Sequence, residues 1–182
     1  MSCSISQGFS IGCRDSIGGL SNLYILSGSV SGITEASEGL ISDISGTGVF
    51  YNFELVKETA DFVETPTPNN AAGTVYYSQV VNAAFHKMDS GLRNQVKTLA
   101  ASNDLKMIIK TNNGIADGIG QYFYIGRFFG SVLTGGAGTS GLAFADANQY
   151  ALNFEALEPV PAFEIQTTGG DLSTALTGIT LG

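Results

Sequence analysis

GVFYNFELVKE, residues 48–58, decides the fold class. Phe50, Asn52, Glu54 and Val56 alternate with Tyr51, Phe53, Leu55 and Lys57. A period of two marks a strand with one face on a core. The set containing Tyr51, Phe53 and Leu55 reads as the apolar face, with Lys57 at the exit.

Working outward, residues 22–29 (NLYILSGS) have strand composition and lead into a Gly/Ser/Glu stretch over 32–39. Residues 40–44 read as a short strand closed by Ser45-Gly46-Thr47-Gly48. Downstream, residues 59–65 continue the strand pattern. PTPNNAAGT (66–74) then reads as a loop, because two prolines, two asparagines and a glycine interrupt regular structure. Residues 74–88 form a long β-type run. Asp89-Ser90 is an N-cap signal, and Leu92, Val96 and Leu99 follow at helical spacing, predicting a helix over about 90–102. Strands are expected at 105–111, 121–129, 132–133, 150–157 and 161–167. Turns fall at Asn112-Asn113-Gly114 and in the glycine-rich 135–141.

The expected fold is mainly β: an antiparallel sandwich or barrel of about ten strands with one flanking α-helix. Residues 1–20 read as an arm, 21–168 as the β domain and 169–182 as a C-terminal extension. At 182 residues the chain is long enough for one self-sufficient core. Charged residues are 13%, about half the usual share, and 24 glycines exceed the norm of about 7%. With mean hydropathy of +0.18, these values exclude disorder and favour a surface covered in part by copies of itself.

The net charge of −8 speaks against a basic nucleic-acid module or a polybasic membrane binder. No run of 18 apolar residues predicts a membrane span, and residues 1–13 lack the layout of a secretory leader. Synthesis in the cytosol with reduced Cys3 and Cys13 is the expectation. One histidine, His86, leaves no Cys/His zinc pattern.

Several residues invite chemical readings. Gly136-Ala-Gly138-Thr-Ser-Gly141 matches GxGxxG, but a nucleotide site needs a strand before it and a helix after it; a hairpin loop is the plainer reading. Glu58, Asp61 and Glu64 could pair for glycoside chemistry, yet a solvated or lumen-facing acidic stripe is simpler. His86 lacks a GxSxG partner and reads as structural. Asp117, Asp146 and Asn148 do not follow the calcium-loop spacing and read as turn residues. The run Tyr122, Phe123, Tyr124, Phe128, Phe129 reads as packing rather than base stacking, since only Arg127 is basic nearby. No enzyme, cofactor or metal is expected.

The order of these segments carries a resemblance. Residues 50–57 (FYNFELVK), 61–64 (DFVE), Gly73-Thr74 and 75–79 (VYYSQ) are followed by the helix, by 105–109 (LKMII) and by Asn113-Gly114. Tyr124-Ile-Gly126, the glycine-rich loop, Asp146-Ala-Asn148, 150–154 (YALNF) and 158–162 (EPVPA) complete the pattern. Over about residues 20–167 it resembles tail tube proteins of tailed bacteriophages, of the kind found in phages of Bacteroidetes-type hosts. The resemblance implies a structural subunit whose six copies form a ring by joining inner sheets, with rings stacking into a virion tail through which DNA passes without specific binding. Its partners would be itself, a tube initiator, a terminator and a tape measure, with a sheath as a further candidate. A long hairpin loop contacts the next ring in that family; here the matching residues are Thr65, Pro66, Thr67, Pro68, Asn69, Asn70 and Gly73. Candidate lumen acids are Glu54, Glu58, Asp61 and Glu64, since a DNA conduit should repel phosphate. The competing readings are an injection-system tube, a virion decoration or adhesion domain, and a hydrolase acting through His86.

Overall fold

A computed structural model describes residues 16–113 and 121–182, together with Gly8. Cys3, Cys13, Asp117 and most of the 1–20 arm lie outside the described residues. In chain order the elements are β1 (Leu20–Ser37), β2 (Leu40–Glu54), β3 (Asp61–Asn69), β4 (Thr74–His86), α1 (Ser90–Ala101) and β5 (Met107–Thr111). β6 (Tyr122–Ile125), β7 (Ser131–Thr139), β8 (Gln149–Glu158), β9 (Phe163–Ile165) and β10 (Leu176–Leu181) follow. The fold is mainly β with one α-helix among the described residues.

One sheet runs β1-β5-β6-β9-β2-β10, and an added β1–β2 pairing closes its first five strands into a barrel. The second sheet runs β3-β4-β8-β7. Two cores result. Leu26, Ile41, Ile44, Phe50, Ile108, Tyr122, Tyr124 and Ile165 fill the barrel. Leu23, Ile25, Met107, Ile109 and Ile125 point out of it, onto Val81, Phe85, Leu152 and Phe154 of the second sheet. Met107, Ile108 and Ile109 are therefore all buried, alternately outside and inside the barrel wall. Helix α1 starts at Asp89, whose side chain accepts from the Leu92 amide at 2.7 Å, and its Leu99 joins the second core.

The structure corrects several segment boundaries. β1 runs through the 32–39 stretch as far as Ser37, and β2 is continuous through Gly46-Thr47-Gly48, so the expected break there is a paired stretch. β2 ends at Glu54, and Phe50, assigned to the polar face, is fully buried in the barrel while Tyr51 is half exposed. β6 stops at Ile125, because Gly126 turns at φ 72°. The glycine-rich stretch belongs to strand β7 as far as Thr139, and Gly136 pairs with Leu152. β2 also pairs in parallel with β9 and β10, where only antiparallel neighbours were expected. The tail set apart by composition supplies β10 and a short 3-10 turn, Leu172–Ala175, whose Leu172 and Ala175 join Ile179 in the barrel core.

Candidate assembly surface

The four-stranded sheet has one face on the core and one face open. Alternation along β4 sends Gln79, Val81, Ala83 and Phe85 inward, which leaves Ser78, Val80 and Asn82 on the outer face. The same alternation in β8 buries Leu152, Phe154 and Ala156 and turns Asn153, Glu155 and Leu157 outward. Register aligns these outward residues into rows: Asp61 opposite Asn82 opposite Asn153, and Val63 opposite Val80 opposite Glu155. A polar ladder crosses the sheet. Asn153 Nδ2 donates to Asn82 Oδ1 at 2.6 Å, and Asn82 Nδ2 donates to Asp61 Oδ1 at 2.8 Å. Ser78 Oγ donates to Glu155 Oε1 at 2.8 Å.

The four acids chosen from sequence do not share this face. Asp61 lies on it. Glu64 points the other way from β3, and its Oε1 accepts from the Ala162 amide at 2.6 Å and from Gln79 Nε2 at 3.3 Å. Glu54 is exposed at the end of β2, in the other sheet. Glu58 sits in the β2–β3 connection at φ 63°, exposed beside Lys57. Asp61 and Glu64 thus face opposite sides of one strand, and no carboxylate pair forms between them. Glu155 was missed, although it stands in the outward phase of the alternation that marks β8.

The expected 66–74 loop is mostly strand. Thr65 through Asn69 pair with Ser78 through Thr74, and only residues 70–73 form the turn. Asn69 Oδ1 accepts from the amides of Ala71 and Ala72, both at 3.1 Å, and Gly73 takes φ 65°. β8 pairs with β4 only from Tyr77 onward, so the outer part of this hairpin projects past the sheet as a two-stranded ribbon. β3 is an edge strand. Pro66 and Pro68, two residues apart, lack their N–H on the same side, the open edge. The opposite edge, β7, carries no proline and no charge.

Two loops cap the ends of this sheet. At the hairpin end, the buried Glu158 accepts from the amides of Phe128 (3.0 Å to Oε2) and Phe129 (2.9 Å to Oε1). Arg127 lies 4.2 Å from the Phe163 ring centroid and 4.9 Å from that of Phe128, and pairs with Glu35 at 2.6 Å. Phe128 and Phe129 are left 50% and 71% exposed. At the other end, Asp146 Oδ2 accepts from the amides of Leu142 (2.8 Å) and Ala143 (2.7 Å). These bonds hold its carboxyl below the usual carboxylate range. Leu142 and Phe144 on this loop are fully exposed.

Of the remaining candidates, Tyr122 and Tyr124 lie inside the barrel, and Phe123 stacks on Phe62 at 6.5 Å. Burial, reinforced by the nearby Asp104, pushes the Tyr124 phenol well above its ordinary value. His86 is exposed at the end of β4, opposite Gln149. Asn148 is occupied with backbone, accepting from the Lys87 and Met88 amides. Among the described residues no group of three His, Cys, Asp or Glu side chains is placed to hold a metal, and no helix is long and apolar enough to cross a membrane. Comparison with family models, curated proteins and solved structures returns no match to this chain.

Proposed function

We propose that this chain is the structural subunit of a hollow tube of the bacteriophage tail type, with the four-stranded sheet as its share of the lumen wall. The observation that carries this reading is the sheet itself: its outer face is covered by nothing else in the described chain, and both of its edge strands lack a further strand, β7 being bridged only at Ser131, to Leu105. An open sheet edge is a template for another strand, and ring closure removes it. Placing β7 of one copy beside β3 of the next extends the sheet, and Pro66 and Pro68 confine that pairing to the Asp61–Thr65 part of β3. Six copies of four strands would give a wall of about twenty-four.

The lumen would then present Asp61, Glu155, Asn82, Asn153 and Ser78, interspersed with Val63, Val80 and Leu157. The carboxylates repel phosphate, the Asn and Ser side chains are engaged with them or with each other, and no Lys or Arg stands among these residues to clamp a phosphate, which suits a conduit. Glu64 is engaged inward and Glu54 lies in the barrel sheet, so neither belongs to this wall. The projecting β3–β4 ribbon would meet the adjacent ring. Electron microscopy of the purified protein at high concentration tests the proposal. Hollow rings or tubes with six-fold end views are expected; discrete monomers or trimers at every concentration overturn it.

A further inference from the structure

The four-stranded sheet carries large apolar side chains at both of its ends, each on a loop fastened by a carboxylate. Leu142 and Phe144 project from the β7–β8 loop, whose Leu142 and Ala143 amides donate to Asp146. Phe128 and Phe129 project from the β6–β7 loop, whose amides donate to Glu158. In both loops the acid is turned onto backbone N–H groups and the apolar side chains are left outside. Strand β8 starts beside the first loop and ends at Glu158, so the length of its ten residues sets the two loops about 30 Å apart.

The geometry points to a head-to-tail contact between copies of this chain, in which Leu142 and Phe144 of one copy seat against Phe128 and Phe129 of the next. This deepens the tube reading and rests on it for the ring that surrounds the contact. A second copy is the occupant because each patch answers the other and both are free of unpaired acid. Asp146 is the only charged residue from 141 to 148, and Arg127 borders the receiving patch. A chain of net charge −8 meets itself at least cost where carboxylates are already engaged. Patches at opposite ends make a heterologous contact, which repeats into an open filament. Two side chains cover roughly 300–500 Å² per copy, below the ~800 Å² per partner of a stable interface. One contact is therefore weak, and a ring presenting several at once multiplies it.

The test uses the full chain with Cys3→Ser and Cys13→Ser, carrying Phe129→Cys together with Phe144→Cys. Oxidation at high concentration is expected to give a ladder of covalent oligomers beyond the dimer, while each single-cysteine chain stops at the dimer. In parallel, Leu142→Ser with Phe144→Ser, both at fully exposed positions, is expected to keep the wild-type melting temperature and to form rings without tubes. Absence of a ladder while the parent chain builds tubes overturns the contact and leaves the tube reading standing. A ladder from particles that show no hollow ring supports the contact and removes the tube reading. Absence of both ladder and assembly overturns both.

Discussion

Gly28 and Gly48 face each other across the β1–β2 pair, at φ 152° and 125°. A Cβ on Gly28 would overlap the Thr47 carbonyl oxygen, and one on Gly48 the Ser27 carbonyl oxygen. The two strands approach here more closely than any residue with a side chain permits, at the seam that closes the barrel. Gly28→Ala or Gly48→Ala is expected to cost about 1–3 kcal/mol for backbone strain alone, with the overlap in addition. Urea denaturation of each variant checks this, and a midpoint equal to that of the parent would contradict it.

Glu158 is the fastening of the β6–β7 loop, and nothing else offers the Phe128 and Phe129 amides an acceptor among the described contacts. Glu158→Ala should destabilise the chain by about 1–3 kcal/mol and raise hydrogen exchange at those two amides. Glu158→Gln keeps one acceptor oxygen and should fall between the two. Exchange confined to parent rates in the alanine variant would show that the loop is held by other means.

The Asp146 staple is sensitive to acid. Its carboxyl titrates below its ordinary value of 3.8 because the Ala143 and Leu142 amides bind the charged form. A depressed folded-state pKa contributes stability that is present above pH 3.8 and lost as pH falls through the lower folded value. Exchange of the Leu142 and Ala143 amides should therefore accelerate selectively as pH drops below that point, and Asp146→Asn should remove the dependence.

Alkali acts in the opposite sense on the barrel interior. Tyr124 is held above its ordinary value of 10.0, chiefly by burial, and Tyr24 and Tyr122 shift the same way for the same first reason. A raised folded-state pKa contributes stability that is complete below pH 10 and lost as pH climbs toward the folded value. The melting temperature should fall above pH 10, and part of the phenolate absorbance should appear only with unfolding. Tyr124→Phe should flatten that fall.

The β3–β4 turn is separable from the fold. Asn69 to Gly73 touch neither core, and their bonds are local. Deleting them is expected to leave the melting temperature within a few degrees of the parent and to block the growth of rings into tubes. Tubes of parental length from the deletion would remove the hairpin from stacking.

The elements legible in the sequence are those whose side chains carry their own periodicity. Asp89 with Leu92, Val96 and Leu99 located α1, and the alternation of Tyr150, Leu152, Phe154 and Ala156 located β8. Glycine carries no such signal, so Gly46–Gly48 and Gly135–Gly138 read as breaks where the backbone is in fact paired. β2 buries Phe50 inside the barrel and packs Phe53 outside it, and a strand with two buried faces defeats a one-face reading. The open face was recoverable, since Asn153 and Glu155 stand in phase opposite Phe154. That Asp61 and Glu64, three residues apart, leave β3 on opposite sides was legible as well; which side met the core was not, because each acid has an apolar residue in its own phase, Val63 or Phe62.

The parallel partners of β2 have a consequence in time. Thr177 Oγ1 donates to Asp43 Oδ1 at 2.7 Å across 134 residues of chain. At about 5–20 residues per second, translation needs roughly 7–27 s to bring that partner out. Until then β2 has no neighbour on one side from Ile44 to Phe50, and these two residues lack the cover of Leu172 and Ile179. The nascent subunit thus keeps a hydrogen-bonding edge and an open apolar interior through most of its synthesis. Copies emerging from adjacent ribosomes face a window for strand exchange that shuts only when β10 docks, and the glycine-bound, uncharged stretch from 44 to 50 is where a chaperone would be needed most.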